Sequence, residues 1–357
     1  MAGSAATTVP LKYDQLYRSL PKVELHRHLE GSLRLDTMLE VAKTHGLDFT
    51  RRGPLPSLVQ VNENEPYTFQ NFLSKFETLR LFYRSPEIIG RITREAIADA
   101  AADNVRYLEL RFTPVALSVA QGFLLSEVID WVAEHARQAS LEYGIHTRLI
   151  VSVNRHESVK TAEQVTQLAL ERKEQGVVGL DLAGNEAQFS ARPFAPLFRE
   201  ARQAGLSVTL HAGEWGGAEH VAQALVDFGA ERIGHGVRVM EDPSVVDLAR
   251  ERNTAFEVCV TSNYQSGVVP VLASHPFGRM LAAGLNVTLS TDDPSISRIT
   301  LGDEYRLACE QLKLSLADLR RVILAAASAT FASEREKEDL AATIGREFDE
   351  VTLSATS

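Results

Sequence analysis

Two cysteines in 357 residues, Cys259 and Cys309, are too few for a disulfide framework, and no CxxC pair offers a thiolate metal site. Long apolar runs are also missing, so no stretch reads as a membrane span. The opening MAGSAATTVPLKYDQLYRSL lacks the charged start and apolar middle of a secretory signal. Basic residues are outnumbered, 37 Lys and Arg against 47 Asp and Glu. The formal charge of −10 and the want of any basic tract give no support for nucleic acid or an anionic membrane as partner. No glycine-rich phosphate loop follows the first strand-like run, which weakens the case for a doubly wound open sheet. No low-complexity linker or short-period repeat divides the chain. The expectation is a soluble, cytoplasmic protein folding as one domain over 1–357, with 45% apolar residues to fill a core.

What is present is alternation. Short β-rich runs at 23–28, 105–112, 147–153, 177–184, 207–213, 232–237, 255–260 and 286–292 are separated by longer segments with apolar residues at three- and four-residue steps. Strands alternating with helices imply a parallel sheet, and eight is the number that closes a (β/α)8 TIM barrel. The barrel is expected over 12–340, followed by a charged helix over about 333–351. About 75 residues separate the first two strands. A connection that long carries helices of its own and often covers a site, so a helical lid is expected at about 30–100. Within it, TFQNFLSKFETLRLFY places Phe69, Phe72 and Phe76 at helical spacing, a core face by the simplest reading.

Barrel enzymes gather reactive groups at the C-terminal ends of their strands. VELHRHLEG ends the first strand with His26 and His28, which point the same way because strand side chains alternate. LHAGE ends the fifth with His211 and Glu214, RIGHG the sixth with His235, and LSTDDP the eighth with Asp292 and Asp293. Three imidazoles and a carboxylate suit a divalent transition metal, zinc first among them. Such an ion lowers the pKa of a bound water from about 15.7 toward about 7. Glu214 and His235 are of the right type to donate a proton and orient the water, and Asp293 can accept from a substrate N–H. His45, His135, His146 and His275 read as surface or structural, His220 as opening a helix, and His156 stays open.

With HxH, HAGE, GHG and STDDP in order, the sequence resembles the adenosine deaminase family of amidohydrolase-like barrels. RYLELRFTP, GLDLAGNE and TSNYQSGVV carry the resemblance through the chain. It implies one Zn2+ per chain, held by His26, His28, His211 and Asp292. It implies Glu214 as the acid that protonates purine N1, and His235 as the residue that orients and helps deprotonate the zinc-bound water. Asp293 matches the contact to purine N7 and Gly184 the backbone donor to N3. Glu30 stands at the ribose 5′-hydroxyl contact, where many members have Asp. Phe72, Leu73 and Phe76 align with an apolar lid over the sugar, so the aromatic stripe is expected to serve both core and lid. Gly234 stands where adenine deaminases tend to carry an Asp that fills the ribose space. The implied activity is deamination of adenosine and 2′-deoxyadenosine to inosine and 2′-deoxyinosine in purine salvage. The alternatives are 6-aminodeoxyfutalosine, adenine or an N6-modified AMP as substrate, and a silent purine-nucleoside sensor.

Overall fold

The computed structural model describes residues 13–356; the expected ends at 1–12 and 357 lie outside the described residues. Eight strands run in chain order: β1 Lys22–His28, β2 Val105–Phe112, β3 His146–Asn154, β4 Val177–Ala183, β5 Ser207–Ala212, β6 Arg232–His235, β7 Ala255–Val258 and β8 Asn286–Leu289. Each pairs in parallel with the next. The ring closes just beyond β8, where Asp292 bridges Arg27. There Asp292 N–H donates to the His26 carbonyl at 2.9 Å and His28 N–H to the Asp292 carbonyl at 2.8 Å. This is the expected (β/α)8 barrel. β6 and β8 stop before the runs 232–237 and 286–292 do. The reason at β6 is backbone geometry: the chain turns left-handed at its last residue, His235 with φ 59°, and stays so at Gly236 with φ 64°, so the strand cannot continue.

The barrel interior is polar. Arg232 on β6 reaches Glu109 on β2 at 2.5 Å and Glu257 on β7 at 2.6 Å. Arg111 on β2 meets the same Glu257 at 2.6 Å and Asp181 on β4 at 3.4 Å. Contacts between strands that are not neighbours in the sheet must cross the inside of the ring. The alternate side chains, Val23 and Leu25 among them, join the apolar core instead. A buried ion pair stands on a large desolvation cost, and removing one partner costs about 3–5 kcal/mol. These pairs therefore hold the floor beneath the strand ends in one arrangement.

Between β1 and β2 lie helices over Leu35–His45, Leu55–Val59, Phe69–Leu79 and Pro86–Ala102. Thr68 caps the third by accepting the Asn71 N–H at 3.3 Å. Lys75 ties it to the preceding segment through Glu65 at 2.9 Å and the Ser57 carbonyl at 2.9 Å. Phe72 and Leu79 enter the core from this helix. The terminal helix spans Glu334–Thr356. No helix among the described residues is long and apolar enough to cross a membrane.

Candidate active site

A chamber of about 280 Å³ opens at the C-terminal ends of the strands. Its wall includes His28, Glu30, His211, Glu214, His235, Asp292, Asp293 and Gly184, along with Phe72, Leu73 and Phe76 from the helix above. Of the residues expected in a site, only His26 is outside this wall; it sits one layer deeper and is fully buried. Phe72 belongs to the core and also faces the chamber, beside Leu73 and Phe76. Phe69 leans on Trp215 with ring centroids 5.6 Å apart, so the helix rests on the loop that carries Glu214.

At the chamber floor, five groups crowd one point. His26, His211, His235 and Asp292 present ligand atoms within 4.8 Å of one another. His28 Nε2 lies 3.2 Å from His211 Nε2 and 3.3 Å from Asp292 Oδ1. His26 Nδ1 faces Glu257 at 2.8 Å, and His211 Nδ1 faces Asp181 at 3.0 Å. A carboxylate there draws the ring hydrogen to Nδ1 and leaves Nε2 as a lone pair. His26 Nε2 is buried with no hydrogen-bond partner. A lone pair sealed from water and aimed at a carboxylate and two further imidazoles fits a bound cation, and nothing in the donor set argues against one.

His235 has φ 59° and Asp292 φ 65°, left-handed backbone that few residues other than glycine adopt. Strain of this kind is kept where it aims a side chain. Asp293 follows immediately, and its approach depends on Gly31, where a Cβ would lie 1.9 Å from Asp293 Oδ1. Gly234 packs closely against two of the histidines: a Cβ there would meet His26 Cε1 at 3.0 Å and the His211 Cα at 3.3 Å.

The carboxyl groups divide into two kinds. Burial, together with the charges of Asp292 and Glu186, pushes Glu214 well above the usual carboxyl range. Burial and the neighbouring Asp292, Glu30 and Glu214 do the same to Asp293, whose Oδ1 has no hydrogen-bond partner. Burial also raises Glu30 to about 7, although its Oε1 accepts the Thr113 N–H at 2.6 Å. Glu257 behaves oppositely: burial would raise it, but the Arg111 and Arg232 guanidiniums outweigh that and hold it well below its ordinary value. Raised and depressed acids thus stand side by side: Glu214 and Asp293 are pushed up at the chamber wall, while Asp292 between the histidines and Glu257 beneath them are held down.

Several contributors escaped the sequence. Glu186 accepts the backbone N–H groups of Gly213 at 2.7 Å, Glu214 at 3.1 Å, Trp215 at 3.1 Å and Gly216 at 3.0 Å, gathering the loop after β5 around one carboxylate. His220 does open a helix, as expected, and its Nδ1 also meets Glu186 at 2.8 Å. His156, left open by the sequence, lines the outer chamber with Arg80. Arg111, Asp181 and Glu257 support the histidines from below. Glu186 and Asp181 sat in a stretch the sequence singled out, GLDLAGNE, and Arg111 in another, RYLELRFTP, but none was given a role there.

A family model described as adenosine deaminase matches residues 21–347. The adenosine deaminase of Clostridium perfringens is 33% identical over 324 residues, covering 90% of this chain and 97% of that protein. A solved amidohydrolase from Burkholderia ambifaria with bound zinc superposes with a TM-score of 0.89 at 26% identity, covering 99% of this chain and 98% of that one. The Arabidopsis protein ADAL, solved with IMP, gives a TM-score of 0.85 at 30% identity, covering 94% and 99%.

Proposed function

The chain belongs to the adenosine deaminase family and is a hydrolytic deaminase, and on that premise we propose that it converts adenosine and 2′-deoxyadenosine to inosine and 2′-deoxyinosine with release of ammonia. The observation that carries this reading is Glu214, its carboxyl pushed by burial well above its ordinary range, facing the same chamber as the histidine and aspartate cluster. His26, His28, His211 and Asp292 would hold the metal, which we read as one zinc per chain. When bound, such an ion supplies Lewis acidity that makes water nucleophilic at neutral pH.

The chain's own residues do the rest. Glu214 gives its proton to purine N1, which draws electron density from C6 and opens that carbon to attack. His235 orients the attacking oxygen. C6 becomes tetrahedral, one proton of the water passes to the amino group and the C–N bond breaks to release ammonia, while the remaining hydroxyl proton returns to Glu214 as C6 becomes a carbonyl. Asp293, kept neutral, shares a hydrogen with N7, and the Gly184 N–H meets N3. Glu30 Oε2, buried with no partner, takes the 5′-hydroxyl. Phe72, Leu73 and Phe76 close over the sugar and exclude bulk water. We place the activity in cytoplasmic purine salvage. Ammonia release from adenosine, adenine and 6-aminodeoxyfutalosine, run beside metal-stripped protein, tests the reading. Metal-dependent turnover of adenosine is expected; its absence while another aminopurine is consumed would move the substrate.

One observation favours a second reading. Arg80 faces the outer chamber beside His156, and among the described residues no carboxylate lies within ion-pair distance of it. An unpaired guanidinium suits a substituent on N9 that ends in an anion, as in N6-modified AMP or 6-aminodeoxyfutalosine. The Arabidopsis neighbour's complex with IMP points the same way. Arg80→Met should spare adenosine but cut turnover of an anionic substrate at least about tenfold. Equal effects on both would dismiss this reading.

A further inference from the structure

Three buried side chains lead from a backbone amide to the chamber. The Phe277 N–H donates to His275 Nδ1 at 3.1 Å. A ring nitrogen that accepts cannot also carry the hydrogen, so neutral His275 has its hydrogen on Nε2. Burial keeps this ring neutral, lowering its pKa to about 3. His275 Nε2 lies 3.4 Å from Asn263 Oδ1. A ring N–H calls for an oxygen opposite it, which fixes the way the Asn263 amide faces. Its NH2 group then points at His235 Nδ1, 3.1 Å away. An amide that donates makes Nδ1 an acceptor, and the one remaining hydrogen of neutral His235 belongs on Nε2.

We infer that Asn263 and His275 are positioning residues that lock His235 as its Nε2–H tautomer, so that His235 offers the reacting oxygen a hydrogen-bond donor rather than a lone pair. The contrast with its neighbours is direct. His26 and His211 back onto carboxylates, which leave their Nε2 atoms as lone pairs suited to a metal. His235 backs onto an amide NH2, which does the reverse. One residue type is thus set to two roles by the group behind it. His235 belongs to the same cluster, its Nε2 3.9 Å from Asp292 Oδ2, yet a nitrogen bearing hydrogen cannot ligate. On this inference the ring cannot also take a proton at Nε2, and His235 would act on the water by donation rather than by helping to deprotonate it. The catalytic consequence rests on the deaminase reading; the tautomer does not.

The test starts with the unaltered, zinc-loaded full chain carrying 15N-labelled histidine. Two-bond proton–nitrogen correlations distinguish pyrrole-type from pyridine-type ring nitrogens, and His235→Gln identifies the His235 signals by their loss. A pyrrole-type Nε2 and a pyridine-type Nδ1 are expected; the opposite pattern overturns the inference. Asn263→Asp replaces the donor with an acceptor, and it should switch His235 to Nδ1–H and lower kcat on adenosine about a hundredfold with little change in KM. His275→Gln still offers an N–H to Asn263 and should keep most of kcat, whereas His275→Leu should lose it. Equal loss in both would reduce His275 to packing and overturn the relay. If no aminopurine is deaminated, the substrate reading fails, while the ring spectrum still decides the tautomer.

Discussion

Asp292 meets His26 twice: its backbone N–H donates to the His26 carbonyl at 2.9 Å, and its Oδ1 lies 3.2 Å from His26 Nε2. The first contact closes the barrel and the second builds the cluster, so one residue joins architecture to chemistry. Asp292→Ala should abolish stoichiometric metal binding. It should also cost about 1–2 kcal/mol, because alanine tolerates the φ of 65° less well than aspartate. Elemental analysis and a thermal melt check both; full metal occupancy would remove Asp292 from the ligand set.

Glu214→Gln replaces the acid with a neutral group of the same size that cannot donate a proton to a ring nitrogen. Metal content and melting temperature should stay near those of the parent, while kcat falls by about 10²–10⁴. Steady-state turnover on adenosine with the loaded protein decides it. Retained activity would assign the proton to another group.

Glu186 holds the Glu214 loop and is itself ionised. Burial would raise it, yet His220, Arg155 and the backbone donors bring it down to about 2. A depressed carboxylate stabilises the fold above its unfolded pKa, and that contribution disappears as the pH falls. From about pH 4.3 to about 2, the parent should lose on the order of 3 kcal/mol from this group. Glu186→Gln should therefore melt lower than the parent at pH 7, with the gap narrowing in acid. It also removes one of the charges that raise Glu214. The alkaline limb of kcat, where Glu214 loses its proton, should then move to lower pH. A limb that stays in place would show that Glu186 does not tune the acid.

Glu30 has the opposite sign. Its folded pKa, about 7, lies above the unfolded value of about 4.3, so its contribution is full below the lower figure and declines as the pH rises through the higher one. Glu30→Gln should accordingly raise the melting temperature at pH 8 and leave it nearly unchanged at pH 4. On substrates, it should slow adenosine more than adenine, which has no 5′-hydroxyl. Matching losses on the two would end the assignment of Glu30 to that hydroxyl.

The sequence made the strand ends readable because the barrel rule says where reactive residues collect, and His26, His28, His211, Glu214, His235, Asp292 and Asp293 all lie there. Arg111, Arg232 and Glu257 were hidden by the same alternation that revealed the strands. A polar face reads as solvated until ring closure turns it inward, and nothing local to Arg232 announces Glu109 on the far side. The strand at RIGHGV was overshot because residue type does not disclose the positive φ of His235 and Gly236. Glu186 depends on a loop folding back over it from the following strand. His275 was readable as structural, but its tie to His235 runs through Asn263 and needs ring and amide orientations that no pattern encodes.

Closing the ring at Arg27 and Asp292 also sets an order of events during synthesis. Thr291 donates its backbone N–H to Glu24 from 267 residues away, and Asp292 reaches His26 across nearly the same length of chain. Contacts this remote form late, since every intervening helix and strand must first bring the ends together. A ribosome-bound chain would carry β1 and its two histidines into solution long before their aspartate has been made. The growing protein thus holds, for most of its synthesis, an incomplete claim on the metal, and the full site arrives only with the last strand.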